Sequence, residues 1–304
     1  MKRMKWAIVF LLMLLFIGGC GEREKSEETV ESTKPTLQIG LLPEQNIFSQ
    51  KKRYEPLAAY ISRQAGVTVN LKILSRYGNI IDNFISGDLD GAFFGSFTGA
   101  LAIRKLGVEP LARPEYNDGT STYYGMIFTR KDSGIQSARD MKGKRFAFVD
   151  MVTTAGWLLP LHYFQEHGID DYRSWFGETY FAGTHEDAIY DVLNGKADVG
   201  AAKNQVFYRL ARKNPALTEE LTILMTSPEV PANGLAVRHD LDETLKKRLK
   251  DVLIHMDLSE EGKRVLQSLG VQRFIETTVQ DYQPVFDFAN HIGLDLSTYD
   301  YLNQ

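Results

Sequence analysis

Gly87-Asp88-Leu89-Asp90-Gly91-Ala92-Phe93-Phe94-Gly95-Ser96 returns later in the chain as Gly195-Lys196-Ala197-Asp198-Val199-Gly200-Ala201-Ala202-Lys203-Asn204. Each copy reads as a helix end, a glycine turn, an aspartate and a short buried strand. A polar residue able to cap the apolar helix that follows completes the unit. A unit of this kind, met twice in the same local context, predicts two lobes of similar α/β build.

The flanking sequence extends both lobes. Leu37–Leu42 reads as a strand stopped by Pro43, and Tyr54–Gln64 carries Leu57, Ala58 and Ile61 at helical spacing before Gly66. Val67–Leu74 alternates β-branched residues as a second strand, and Asn79–Ser86 reads as a helix. Strands separated by helices of this length predict parallel neighbours joined by helical crossovers. A second lobe would start after the segment Tyr123–Phe128, an apolar strand, and contain Arg145–Asp150 as a strand followed by a helix over Thr154–His167. It would close near Pro228–Pro231, before Leu235–Arg238 returns the chain; Leu241–Gln304 reads as mostly helical and packed on the first lobe. The expected division is 37–124 plus 232–304 for lobe 1 and 125–231 for lobe 2. A chain that leaves one lobe and comes back makes two crossing segments, which can serve as a hinge.

The N-terminus carries an address. Lys2, Arg3 and Lys5 precede the apolar run Trp6–Ile17, and Gly18-Gly19 lead into Cys20. Residues 1–19 therefore read as a lipoprotein signal peptide. A run of about twelve apolar residues is too short to span ~30 Å of hydrocarbon. Lipid on Cys20 is expected to anchor the protein to a membrane outside the cytoplasm, with residues 20–36, rich in Glu, Lys, Ser and Thr, as a flexible tether. Cys20 is the sole cysteine, so no disulfide and no thiolate metal ligand is expected. A formal net charge of −4 gives no reason to expect nucleic acid as a partner. A monomer without cofactor is expected.

Asp150-Met151-Val152-Thr153-Thr154-Ala155-Gly156-Trp157 lies between a buried strand and a helix. Small hydroxyl residues at a helix start leave backbone N–H groups outward, with the positive end of the helix dipole behind them. That is an anion site needing no Lys or Arg, although simple N-capping by Thr153 or Thr154 gives the same pattern. Ser96 and Asn204 hold equivalent points of the repeated unit, where open α/β sheets collect ligands; Gln45 and Asn46 follow the first strand likewise. Helix capping would also explain Ser96 and Asn204. Lys203 reads as a solvated lysine, and Phe48, Phe97, Tyr123 and Trp157 read as core packing or as the dry wall of a cleft. The sequence has no Gly-x-Ser-x-Gly elbow, no His-Glu-x-x-His and no Walker-type loop, so no catalytic residue is assigned.

From Leu37 to about Phe274 the chain resembles the phosphate/phosphite/phosphonate substrate-binding proteins of ABC transporters. The likeness runs through Ile39–Glu44, Tyr54-Glu55-Pro56-Leu57, Lys131–Ile135, Asp140–Lys144, Phe148-Val149-Asp150 with its Thr-Thr-Ala-Gly turn, and Gly183–Asp187. The resemblance implies a type II periplasmic-binding fold, each lobe a mixed sheet flanked by helices, with a small oxyanion closed between them and a membrane permease as partner. It also implies ligand contacts from Thr153, Thr154, Ala155, Gly156, His185 and Tyr123. Ala155 stands where the family usually has a hydroxyl, which removes one hydrogen bond worth roughly 1–2 kcal/mol. A protonated His185 would be the better donor to a phosphoryl oxygen. The rival readings are a ligand-sensing lipoprotein and a binding protein for another solute, such as a sulfonate or a thiamine precursor.

Overall fold

The computed structural model describes residues 34–302. The signal peptide, Cys20 and most of the tether lie outside the described residues. One six-stranded sheet has the order β13-β4-β12-β3-β1-β2. Its strands are β1 (Thr36–Leu41), β2 (Thr68–Ile73), β3 (Gly91–Phe94), β4 (Glu109–Glu115), β12 (Gly234–Val237) and β13 (Arg273–Glu276). The other, five-stranded, has the order β10-β6-β9-β7-β8. It contains β6 (Gly125–Arg130), β7 (Arg145–Phe148), β8 (Glu178–Phe181), β9 (Val199–Lys203) and β10 (Leu221–Thr226). Between them in sequence, β5 (Thr122–Tyr123) and β11 (Val230–Pro231) pair antiparallel, so the two segments that join the sheets are bonded to each other.

The sheets are built alike. In the first, β1 is parallel to β2 and β3, whereas the returning strand β12 is antiparallel to β3 and β4. In the second, β7 is parallel to β8 and β9, whereas β6 is antiparallel to β9 and β10. Thus β3 and β9, the strands of the repeated unit, occupy equivalent places. Their aspartates explain the repeat. Asp90 accepts from the amide of Gln38 at 2.8 Å, and Asp198 accepts from the amide of Arg145 at 2.9 Å, each fixing the start of the neighbouring parallel strand. Gly87 and Gly195 take φ of 76° and 72°, a left-handed turn that glycine adopts without strain.

Local differences from the sequence reading have clear causes. The first helix runs Ile47–Ala65, because Asn46 caps it through bonds from Phe48 and Ser49. The strand expected over Tyr123–Phe128 breaks at Tyr124, where Asn204 bonds the backbone. The C-terminal part is not only helical: β13 closes the edge of the first sheet. It also reaches the second half, since Tyr299 donates to the carbonyl of Met151 at 2.6 Å and Phe288 packs on His162.

Removing either repeat aspartate leaves a strand-end amide without its acceptor. Asp90→Ala and Asp198→Ala are each expected to cost about 1–2 kcal/mol in urea unfolding. A loss of under a few tenths in both would contradict a shared structural role.

Candidate functional site

Helices begin at Ser96, Thr154, His185 and Asn204, just beyond the carboxyl ends of β3, β7, β8 and β9. Helix starts carry unsatisfied N–H groups and partial positive charge, so four such ends favour a negative ligand. The first turn at Thr154–Leu158 is π-helical, and its first intrahelical bonds are from Leu158 to Thr153 and from Leu159 to Thr154. The amides of Thr154, Ala155, Gly156 and Trp157 therefore precede the ladder. Single π-turns of this kind recur at functional sites. Thr153 precedes the turn without capping it, because its hydroxyl donates to the Asp150 carbonyl at 2.7 Å. Gly156 is required sterically: a Cβ there would lie 2.4 Å from the Cβ of Val149.

The opposite sheet meets this turn directly. The Phe97 amide donates to Thr154 Oγ1 at 2.8 Å, which leaves the threonine hydroxyl hydrogen to point elsewhere. Tyr123, buried, has its hydroxyl 3.1 Å from Ser96 Oγ and Lys203 Nζ 4.2 Å from its ring centre. Burial raises the pKa of Tyr123, and of Tyr77 strongly, so both keep their protons. Tyr77 Oη is buried and makes no hydrogen bond with the protein, a group that calls for a partner. Its ring meets His185 edge-on at 6.1 Å.

His185 opens its helix under a Thr184 cap and is 3% exposed. Its Nδ1 accepts from the Lys203 amide at 3.3 Å, which assigns the proton of the neutral ring to Nε2. A protonated ring, which would be the better donor, is disfavoured here. Burial, with Lys203 and Arg209 nearby, depresses its pKa to about 3 against the pull of Glu44. The neutral ring still offers one N–H.

Lys203, expected in solvent, is instead 3% exposed. Its ammonium donates to Glu44 Oε1 at 3.0 Å and Asn233 Oδ1 at 2.8 Å, while Asn233 Nδ2 donates to the same Glu44 oxygen at 2.9 Å. Burial alone would raise Glu44, but Lys203, followed by His185, Arg209 and Arg53, outweighs it and holds the carboxyl at about 2. The sequence reading missed Glu44, Asn233 and Tyr77 as site residues; the only local signal was Pro43-Glu44 after the first strand.

The remaining expected residues fasten the frame. Ser96 is the first helical residue, with Gly95 in the cap position, and it donates to the Pro231 carbonyl at 2.6 Å. Asn204 likewise does not cap: it accepts from the Tyr124 amide at 3.2 Å. Both therefore hold the crossing segments. Gln45 accepts from Arg209 Nε at 2.9 Å, and the Asn46 amide donates to Glu186 at 2.8 Å, adding two more links between the halves. Phe97 and Trp157 are buried, whereas Phe48 is 77% exposed and walls nothing.

The titrations give a signed expectation. Unfolded His185 takes a proton near pH 6.5 and folded His185 only near 3, so stability is full above 6.5 and falls as pH drops through that window. Glu44, lowered from 4.5 to about 2, adds a loss of the same sign only below 4.5. His185→Gln should flatten the decline between pH 6.5 and 4.5 by on the order of 1–2 kcal/mol, leaving the smaller slope of His162, whose pKa burial also lowers. An unchanged slope in chemical denaturation would contradict a buried neutral His185.

Residues 39–282 match the family described as ABC transporter, phosphonate, periplasmic substrate-binding protein. The chain is 26% identical over 85% of its length to the phosphonates-binding periplasmic protein of Escherichia coli, of which it covers 77%. It is 25% identical to the probable ABC transporter phosphite binding protein PhnD1 of Prochlorococcus marinus, covering 87% of this chain and 92% of that one. The structure of PhnD1 with methylphosphonate superposes with a TM-score of 0.76 over 84% of this chain and 98% of that chain. A binding component of an ABC phosphonate transporter from Pseudomonas aeruginosa gives 0.80 at 24% identity, over 85% of this chain and 87% of that one. The two similar mixed sheets are those of a type II periplasmic-binding fold, and the chain belongs to the family of ABC transporter periplasmic phosphonate substrate-binding proteins.

Proposed function

We propose that this protein captures a phosphonate-, phosphite- or phosphate-like oxyanion for an ABC importer by closing two lobes, 37–124 plus 232–304 and 125–231, around it. The observation that carries the ligand class is the donor set. The amides of Thr154–Trp157 precede the helical ladder, the buried Tyr77 hydroxyl has no partner in the protein, and the neutral His185 ring keeps an N–H at Nε2. A ligand that only accepts, through several oxygens, satisfies them together. Two buried carboxylates lie nearby and both are engaged: Glu44 is held by Lys203 and Asn233, and Asp150 accepts from the Val152 amide at 3.1 Å. PhnD1, solved with methylphosphonate, lends the same ligand class.

Closure follows from the bonding across the halves. Phe97 to Thr154, Glu44 to Lys203 and Gln45 to Arg209 each join one sheet's loops to the other's, and the paired strands β5 and β11 form the pivot. The closed form would be what the permease recognises. A lipid on Cys20, supported by the residues preceding it, would keep this monomeric receptor beside its permease. Cys20→Ser should then release the protein from membranes into the soluble fraction; continued membrane retention would contradict the anchor.

Calorimetry of the purified body against methylphosphonate, phosphite and phosphate should give saturable heat for at least one. Thr154→Val, which also orphans the Phe97 amide, should weaken that binding by roughly 10- to 100-fold. No heat with any of the three would sink the proposal, and an unchanged affinity in Thr154→Val would remove the turn from the site.

A further inference from the structure

Beyond the Glu44–Lys203–Asn233 cluster the cleft opens into a cavity of about 780 Å³. That lies within the range of about 300–1,000 Å³ that holds drug-sized ligands, and far exceeds what a one-carbon phosphonate fills. The cluster stands between the two spaces. Lys203 touches His185 through its backbone and the cavity through its side chain, whereas Thr154, His185 and Tyr77 do not line the cavity. The Thr154 turn and the cavity are thus neighbours separated by three buried, mutually bonded side chains.

The outer wall has an unbalanced charge. Arg53 and Arg209 both line it, and each buries an N–H that has no acceptor in the protein: Arg53 Nε and Arg209 Nη2. Arg209 spends its Nε on neutral Gln45, and Arg53 lies over the Tyr54 ring with 5.3 Å to its centre. The two guanidiniums feel one another: burial first, and then Arg53, lower the pKa of Arg209 to about 10, which still leaves it charged. With Lys203 that makes three cations around one carboxylate, Glu44. The other charges, Asp118, Glu229 and Arg212, are exposed on the rim. Half-buried like charges, each with a buried N–H left unmet, are costly unless an anion arrives. Tyr54, Tyr116 and Tyr124 give the cavity an aromatic lining suited to an organic linker.

We propose that the ligand is a phosphonate or phosphate monoester whose organic tail carries a second acidic group, seated between Arg53 and Arg209 while the phosphoryl head occupies the Thr154 turn. This rests on the oxyanion reading above and names the rest of the ligand. Lys203, a cation already buried between the two spaces, disfavours a tail ending in an amine.

The test is calorimetry of the wild-type protein with ω-phosphonocarboxylates of three to eight carbons, each beside the n-alkylphosphonate and the ω-aminoalkylphosphonate of equal length. Matching ω-carboxyalkyl phosphates form a second arm that separates phosphonate from phosphate ester. At one or more lengths the carboxylate should bind at least about 10-fold more tightly than the alkyl compound, and the amine more weakly than either. Arg53→Gln should abolish that advantage and leave methylphosphonate within about threefold. If Arg53→Gln fails to fold, Arg53→Met, which keeps the bulk of the side chain and removes its charge, should show the same selective loss. If short phosphonates bind but the carboxylate confers no advantage at any length, the inference fails and the oxyanion reading stands. If nothing with a phosphoryl head binds, both fail.

Discussion

Glu44, in the loop after β1, and Lys203, the last residue of β9, meet as a buried ion pair across the two sheets, at 6% and 3% exposure. Taking both charges out of water costs several kcal/mol per ion, and their attraction repays this only with good geometry and further hydrogen bonds. Asn233 supplies those bonds, donating to Glu44 and accepting from Lys203. Such a pair is a weak source of stability but a strict condition on arrangement. Separating the sheets would return both charges to water, so the cluster opposes neither opening nor closing strongly and instead fixes how the halves meet. His185, Tyr123 and Arg209 all take their positions from Lys203 or feel its charge.

The two sheets bring helix starts to that meeting place by construction. Each repeats a strand pinned by an aspartate, and the strand then delivers a helix whose amino end faces the other sheet. In the first sheet the result is Ser96 and Phe97; in the second it is Asn204 and, one strand over, Thr154. Ser96 and Asn204 then tie these helix starts to the paired crossing strands. A ligand pulling on the helix starts therefore acts close to the pivot, which is the mechanical economy of this architecture.

What the sequence disclosed was whatever depends on near neighbours. The repeat at Gly87–Ser96 and Gly195–Asn204 signalled two similar sheets because a glycine turn and a strand-pinning aspartate are local features. The helix start after Asp150 was legible for the same reason, whereas His185 was singled out only by the resemblance to the family. Glu44 and Asn233 were not, since their partners lie 159 and 189 residues away. Lys203 was misjudged because a lone lysine belongs in water unless something distant neutralises it. The burial of His185 was not legible either, because it is set by neighbours in space, Lys203 among them. Capping by Ser96 and Asn204 failed as a reading because Gly95 and Lys203 hold the cap positions.

The central claim is that the helix start at Thr154 receives the oxyanion. A crystal structure of the protein with methylphosphonate tests it most directly. The account predicts phosphonyl oxygens at about 2.7–3.1 Å from the amides of Thr154–Trp157 and from His185 Nε2, with Tyr77 Oη as a further donor. A phosphonyl group seated instead against Arg53 and Arg209, with the Thr154 turn untouched, would contradict it.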